Sequence, residues 1–96
     1  MTRSEIARYL SRKLSLPPRR ARGVVELLFG MEAGEGIIAD ALDRGERVVL
    51  SGFGTFAVRR RPGRVITDAE TGHRKRTPPV RVVVFRPGTR LRERIR

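Results

Sequence analysis

Apolar residues near the start of the chain recur at helical spacing. Ile6, Leu10 and Leu14 are each four residues apart and share one face of a helix. Thr2 and Glu5 precede this face with the spacing of a capping box, in which a hydroxyl and a carboxylate satisfy the first backbone amides. The pattern predicts a first helix that ends near residue 16, because two consecutive prolines follow.

A second helix is predicted from Pro18, since proline is tolerated in the first turn of a helix. Its apolar residues form two groups, at positions 24–29 and 37–42. Residues 30–36 lie between the groups and include three glycines, each of which costs about 1 kcal/mol in a helix interior. We therefore expect a kink, a break or a short loop here, with Gly45 capping the second half.

The pattern changes from helical spacing to alternation after the second helix. Alternating apolar and polar residues predict strands at positions 46–50, 55–61 and 80–85. Residues 51–56, which run from the first strand into the second, read Ser-Gly-Phe-Gly-Thr-Phe. Their two glycines allow a tight bend beside two aromatic rings. A short amphipathic helix is predicted at the C-terminus, within residues 88–96.

Residues 60–80 contain almost no large apolar side chain and many basic ones. A segment this polar does not pack on a core, so we predict a basic β-arm that projects from the sheet. Glu70-Thr71-Gly72 is the best candidate for its turn. A disordered loop is the alternative, and an arm that is mobile until it meets a partner satisfies both readings.

Charge is distributed unevenly along the chain, which carries a formal net charge of +12. The balance is +6 over residues 1–22, −4 over residues 23–58 and +10 over residues 59–96. Twenty of the 22 basic residues are arginine, which binds phosphate through two parallel hydrogen bonds. A polyanion, and above all nucleic acid, is the partner that this segregation predicts. A solvated basic face is the alternative.

Together these elements predict an α+β fold with two N-terminal helices, a three-stranded antiparallel sheet, a protruding basic arm and a short C-terminal helix. Ninety-six residues allow one domain. We divide it into a helical dimerisation part at 1–45, the sheet and arm at 46–87, and the last helix at 88–96. Without the arm about seventy residues remain, and a core of that size is marginal. An obligate dimer is therefore expected.

Three groups of residues match a known family most specifically: residues 50–56 (Leu-Ser-Gly-Phe-Gly-Thr-Phe), Thr71-Gly72, and residues 85–88 (Phe-Arg-Pro-Gly) with Leu91. With these matches, the whole chain resembles the bacterial HU and integration host factor family. The resemblance implies an intertwined homodimer, or a heterodimer with a paralogue, that grips the minor groove of DNA with two arms. It also implies a protein of the bacterial cytoplasm that associates with the nucleoid.

Two departures from the family pattern stand out. The family's arm tip reads Gly-Arg-Asn-Pro, and its proline wedges between base pairs and kinks the duplex. The matching positions here are Ile66-Thr67-Asp68-Ala69, so the proline is missing and acidic side chains lie at the tip. Ile66 is the apolar alternative for a wedge. The second helix is also about six residues longer than the family's, which puts its two apolar groups roughly 120° out of phase.

The leading functional hypothesis is a histone-like, non-sequence-specific architectural protein that coats or compacts double-stranded DNA, with DNA kinking in doubt. The candidate phosphate and minor-groove contacts are Arg59, Arg60, Arg61, Arg64, Arg74, Lys75, Arg76 and Arg81, with Arg3, Arg86, Arg90 and Arg92 from the body of the protein. The candidate arm-tip residues are Ile66, Asp68, Ala69, Thr71 and Gly72.

An RNA-binding or ribosome-associated protein is the alternative, because charge alone does not distinguish the two nucleic acids. Against it, the five aromatic residues are expected to be buried, which leaves no ring for stacking on bases.

Enzyme function is not expected. His73 is the only histidine, the carboxylates show no pairing, and no phosphate-binding loop is present. Asp68 with Glu70 is more typical of a solvated turn than of a cation site. No cofactor, metal site or small-molecule substrate is predicted, the absence of cysteine excludes disulfides, and no signal peptide or membrane span is recognised.

Overall fold

The computed structural model describes residues 1–32 and 34–96, which form two compact units at residues 1–44 and 45–96. Ala33, inside the predicted helix break, lies outside the described residues. The first unit is helical and the second contains the strands and the last helix. The α+β class predicted from the sequence is confirmed.

The first unit contains helices α1 (Arg3–Leu14), α2 (Pro18–Phe29) and α3 (Ile37–Asp43). The predicted cap is present, since the Thr2 hydroxyl accepts a hydrogen bond from the backbone amide of Glu5 at 3.2 Å. Helix α1 ends slightly before the predicted position because Ser15 adopts a left-handed conformation with φ of 52°. Two helices were predicted here, and the expected break makes them three.

The break between α2 and α3 closes on itself. A Cβ atom built on Gly36 would overlap the carbonyl oxygen of Gly30, so the two ends of the segment are in direct backbone contact. The segment also has internal bonds, from the Glu35 amide to the Glu32 carbonyl at 3.0 Å and from the Gly34 amide to the Asp40 carboxylate at 3.3 Å. Gly30 and Gly36, which flank the break, therefore lie side by side.

The core of the first unit is small. Ala7 of α1 and Ala21 and Val25 of α2 are buried, and Ile6, Leu10 and Leu16 pack against them. The two alanines let the helices approach closely. In α3, Ala41 and Leu42 are the buried residues.

The second unit contains the sheet, the arm and the last helix. Its elements are β1 (Val48–Leu50), β2 (Gly54–Arg61), β3 (Val65–Thr67), β4 (Arg74–Arg76), β5 (Val80–Pro87) and α4 (Thr89–Ile95). Strands β1, β2 and β5 form an antiparallel sheet in the order β1-β2-β5, and β3 pairs with β4 as a separate ribbon. The three-stranded sheet, the arm and the C-terminal helix were all predicted. Strand β1 starts two residues later than predicted, because its ladder ends at the pair Val48 and Phe56.

The glycine-phenylalanine segment joins three elements. The Phe53 amide donates to the Leu50 carbonyl at 2.9 Å, which closes the turn between β1 and β2. A Cβ atom on Gly54 would lie 2.5 Å from the ring of Phe85 and 2.8 Å from the Arg86 carbonyl oxygen. The Gly52 carbonyl accepts a hydrogen bond from Leu91 at 3.1 Å and so holds α4. Only glycine at position 54 allows strand β5 to approach this closely.

The expectation that the aromatic residues are buried is wrong for a single chain. Tyr9, Phe29, Phe53 and Phe85 are 41–51% exposed, and Phe56 alone is half-buried. The ring of Phe85 contacts the rings of both Phe53 and Phe56, with centroids 6.0 Å and 4.6 Å apart. They form an aromatic cluster that one chain covers only partly. Among the described residues no helix is long and apolar enough to cross a bilayer.

Candidate nucleic-acid interface

The base of the arm is a continuation of the body sheet. The ladder between β2 and β5 continues as far as the pair Arg61 and Val80. The three consecutive arginines, residues 59–61, therefore lie in paired β-structure at the base of the arm. Arg60 lies directly opposite Arg81, and like charges in that position destabilise a strand pair. A polyanion bound against this face would relieve the repulsion.

An interruption separates the base of the arm from its outer part. It consists of Pro62-Gly63 on one side and Pro78-Pro79 on the other, and proline lacks the amide that a ladder needs. Thr77 connects the two sides across the interruption. Its hydroxyl accepts from the Arg64 amide at 2.9 Å and donates to the Arg64 carbonyl at 3.1 Å, while its amide donates to the same carbonyl at 2.7 Å.

The outer arm is a ribbon of β3 and β4 with two different faces. Val65 lies opposite Arg76 and Thr67 opposite Arg74, and these four residues share one face. Ile66 lies opposite Lys75 on the other face. Every residue in both strands is exposed. Each face therefore offers an apolar β-branched side chain directly beside a cation.

The tip of the arm is a turn closed by its own polar groups. The Asp68 amide donates to the His73 carbonyl and the Gly72 amide donates to the Asp68 carbonyl, both at 2.8 Å. The Asp68 carboxylate also accepts from the Glu70 amide at 2.9 Å, and Gly72 has a left-handed φ of 71°. Ala69, Glu70 and Thr71 form the end of the turn, whereas Ile66 lies back in β3. The tip is compact, polar and acidic.

The basic candidates outside the arm lie in three places. Arg3 starts α1 and forms an ion pair with Glu26 at 3.6 Å, an exposed contact that contributes little stability. Arg86 is paired with Thr55 in the sheet, and Arg90 and Arg92 lie on α4. All four are exposed.

Sequence reasoning missed the residues that position the arm. Thr77 and Gly63 were not singled out, although a Cβ atom on Gly63 would overlap the Thr77 carbonyl oxygen. The Pro62-Gly63 and Pro78-Pro79 pairs were the available signal, because they occur at matching distances from the predicted turn. His73 is exposed beside the tip, where its amide donates to the Thr71 hydroxyl at 3.3 Å.

Comparison with known proteins agrees with this geometry. The family model described as bacterial DNA-binding protein matches residues 1–96. Integration host factor subunit alpha of Sodalis glossinidius (strain morsitans) is 41% identical over 98 aligned residues, covering 99% of this chain and 91% of that protein. The protein of the same name from Escherichia coli O139:H28 (strain E24377A / ETEC) is 42% identical over 98 residues, covering 99% and 90% respectively.

Solved structures show the same fold. The HU chain of an Anabaena HU–DNA cocrystal superposes with a TM-score of 0.79 at 27% identity, covering 99% of this chain and 97% of that one. A mutant of transcription factor 1, solved in solution, has a TM-score of 0.65 at 18% identity, covering 98% and 89%, and shares the fold.

The fold, the basic arm and the similarity to known proteins together define a histone-like architectural DNA-binding protein. The chain belongs to the bacterial DNA-binding protein family that includes HU and integration host factor. The comparisons give no support to the RNA-binding alternative.

Proposed function

We propose that this protein coats or compacts double-stranded DNA without strong sequence preference and without sharp kinking by the arm tip. The proposed contacts are Arg59, Arg60, Arg61, Arg64, Arg74, Lys75, Arg76 and Arg81 of the arm with Arg86 and Arg3 of the body. Contacts of this kind to phosphates contribute affinity but carry no sequence information. The outer arm has no Asn or Gln, and its Thr67 and Thr71 are poor substitutes for reading base edges.

The acidic tip is the observation that carries the proposal. A wedge has to be apolar and has to lead the arm into the base stack. In this turn Ala69 lies between Asp68 and Glu70, and all three residues are exposed to solvent. The exposed apolar side chain of Ile66 lies behind that turn, beside Lys75. Cationic flanks with an acidic tip favour binding along the groove over insertion between bases.

A homodimer is part of the proposal. The first unit buries few large side chains, while Leu27, Leu28, Phe29 and Ile37 are 36–54% exposed. The aromatic cluster of the second unit is exposed to a similar degree. Large apolar side chains exposed to this extent in both units indicate surfaces that a second chain covers. Sedimentation equilibrium should give twice the chain mass of 10.9 kDa, and a monomer at micromolar concentration would contradict the assignment.

We assign residues 1–45 to dimerisation, residues 46–87 to the sheet and arm, and residues 88–96 to the last helix of one functional domain. The relatives are DNA-binding architectural proteins, which supports placing this chain in the bacterial cytoplasm with the nucleoid and assigning it no enzymatic activity.

The decisive experiment measures the bend angle of a duplex labelled at both ends, with the native protein and with Ala69→Pro. We expect the native complex to leave the duplex nearly straight and the proline variant to bend it, because proline restores the apolar wedge. Asp68→Asn is the matched control. It keeps the oxygen that accepts from Glu70 but removes a charge, so it should tighten binding without bending. Strong bending by the native protein, abolished in Ile66→Ala, would refute the proposal and make Ile66 the wedge.

A further inference from the structure

The outer edge of strand β3 is open to a further strand. Residues Val65–Thr67 pair with β4 on one side, and among the described residues no strand pairs with the other side. All three residues of β3 are β-branched, uncharged and exposed. The far edge of β4 is also open, but its three residues are all cations, which protect an edge from pairing. The β3 edge lacks this protection and is a template for pairing with another chain.

The hydrogen bonds at the two ends of the ribbon show which backbone groups face this edge. The Thr77 amide donates to the Arg64 carbonyl at 2.7 Å, and the Asp68 amide donates to the His73 carbonyl at 2.8 Å. Arg64 and Asp68 therefore direct these groups towards β4. Because the direction alternates along an antiparallel strand, the backbone groups of the first and third residues of β3 point away from β4. Two amides and two carbonyls are thus available to a partner on the free edge.

The sequence of this edge is complementary to itself. When two copies run antiparallel with one Ile66 opposite the other, each Val65 lies opposite the Thr67 of the second chain. These are the residues whose backbone groups face the free edge, so they form the hydrogen-bonded pairs of the new ladder. In the same register each Arg64 lies opposite the Asp68 of the second chain. Opposite charges in such positions stabilise a strand pair, and here they flank the two isoleucines on both sides.

We propose that the outer arms of two neighbouring DNA-bound molecules join edge to edge through β3, as a four-stranded ribbon of order β4-β3-β3-β4. This inference rests on the proposed function, because DNA phosphates have to neutralise the cations of β4 before two arms approach each other. In the ribbon, Val65 and Thr67 of both chains share one face with the arginines of both β4 strands. That face remains available to phosphates. Joined arms link successive molecules along a coated duplex.

The test uses a single-cysteine variant, because the native chain contains no cysteine. In the proposed register the two Ile66 side chains form a pair with Cβ atoms about 4.5 Å apart, a separation that a disulfide can span. Under oxidation by diamide, Ile66→Cys should form linked chains on a long duplex at least about tenfold faster than without DNA. After nuclease digestion the linked species should be a pair of dimers under native conditions, because the link joins neighbouring molecules.

The matched control is Ala69→Cys, which also introduces one thiol at an exposed position of the same arm without a change of charge. In the proposed register the two copies of residue 69 are six residues out of line, which is roughly 20 Å at about 3.3 Å per residue. Ala69→Cys should therefore link at least about tenfold more slowly than Ile66→Cys. Random collisions between arms would give the opposite order, because residue 69 lies at the end of the arm.

A second variant tests the backbone pairing itself. Thr67→Pro, added to Ile66→Cys, removes an amide that faces the free edge and leaves the hydrogen bonds between β3 and β4 in place. Linking on the long duplex should fall at least about tenfold, since proline blocks the edge. Affinity for a duplex that holds only one molecule, measured by fluorescence anisotropy, should stay within about threefold of that of Ile66→Cys, because no phosphate contact is removed.

Several results would overturn the inference. They are no linking of Ile66→Cys on DNA, equally fast linking of Ala69→Cys, a linked species that is a single dimer, and undiminished linking in the proline variant. A loss of linking in that variant that only matches a loss of affinity for the short duplex would overturn it as well. Failure of the native protein to bind even the short duplex would instead contradict the proposed function itself.

Discussion

At the scale of single residues, glycines decide where elements of this protein can approach each other. Gly54 leaves no room for a side chain because the Phe85 ring and the Arg86 carbonyl occupy that space. Gly23, in contrast, lies in the interior of α2 with no atom within 4 Å of a built Cβ. The same substitution should therefore have opposite effects at the two positions.

We expect Gly54→Ala to lower the free energy of unfolding by about 1–3 kcal/mol, the usual effect of overpacking a closely packed site. Urea unfolding followed by circular dichroism measures it at a fixed protein concentration. Gly23→Ala is the control and should raise stability by about 0.5–1 kcal/mol, because alanine favours a helix interior. Equal stability of native protein and Gly54→Ala would show that β5 is free to move away.

Residue identities also show what the sequence alone could predict. The helix cap at Thr2, the helix start at Pro18 and the turn around Gly72 depend on neighbours in sequence, and the structure has all three. The contact of Gly36 with Gly30 and the bonds of Thr77 to Arg64 join residues that are separated in sequence. Propensity and periodicity carry no information on such pairs, so both were missed.

At the scale of elements, the arm consists of two strand ladders in succession. Between them, the hydrogen bonds of Thr77 to Arg64 join the two sides of the arm, and we call these bonds the clamp. Its base is held by β2 and β5, and its outer ribbon has only three residue pairs of its own. Alternation predicted the strands on either side of the arm, but the ribbon of β3 and β4 has no apolar face and gave no periodic signal. Its order depends on the bonds between Thr77 and Arg64.

Thr77→Val should loosen the outer arm without unfolding the protein. The change removes two side-chain hydrogen bonds, each with a net contribution of about 0.5–1.5 kcal/mol. Amide hydrogen exchange at Arg64 should become about tenfold faster, and duplex affinity should fall because the arm is less preorganised. Thr67→Val makes the same chemical change on the same arm, at a hydroxyl with no hydrogen bond among the described residues. Similar exchange rates in both variants would contradict the clamp.

At the scale of the whole molecule, charge segregation sets the mode of binding. The basic residues near the two ends of the sequence lie on α1, on the start of α2 and on the arm. The mildly acidic middle of the sequence provides much of the apolar surface. The fold class followed from the hydrophobic pattern, and the polar, basic composition of residues 60–80 predicted the arm. The contacts between α1 and α2 followed from neither, because they depend on how the two helices pack.

Binding to duplex DNA should weaken steeply with salt. Each chain has eight candidate cations on its arm, so a dimer has sixteen. If half of them contact phosphates, the logarithm of the binding constant falls with the logarithm of the salt concentration with a slope of about −7. Fluorescence anisotropy between 50 and 300 mM salt (about the range where counterion release dominates) measures this slope. Arg76→Gln should make the slope shallower by about 2, whereas Arg94→Gln on α4 should leave it unchanged. A flat response would contradict phosphate binding.

The contact between Gly30 and Gly36 has a consequence for how this protein can diversify. Because the backbones of Gly30 and Gly36 are in contact, the helix pair is joined at that point independently of the residues between the two glycines. Their number and chemistry can change while α2 and α3 keep their relative phase, so the position is permissive for insertion. A lineage can acquire a new docking epitope there, and an experimenter can attach a fluorophore, without altering the arm that binds DNA.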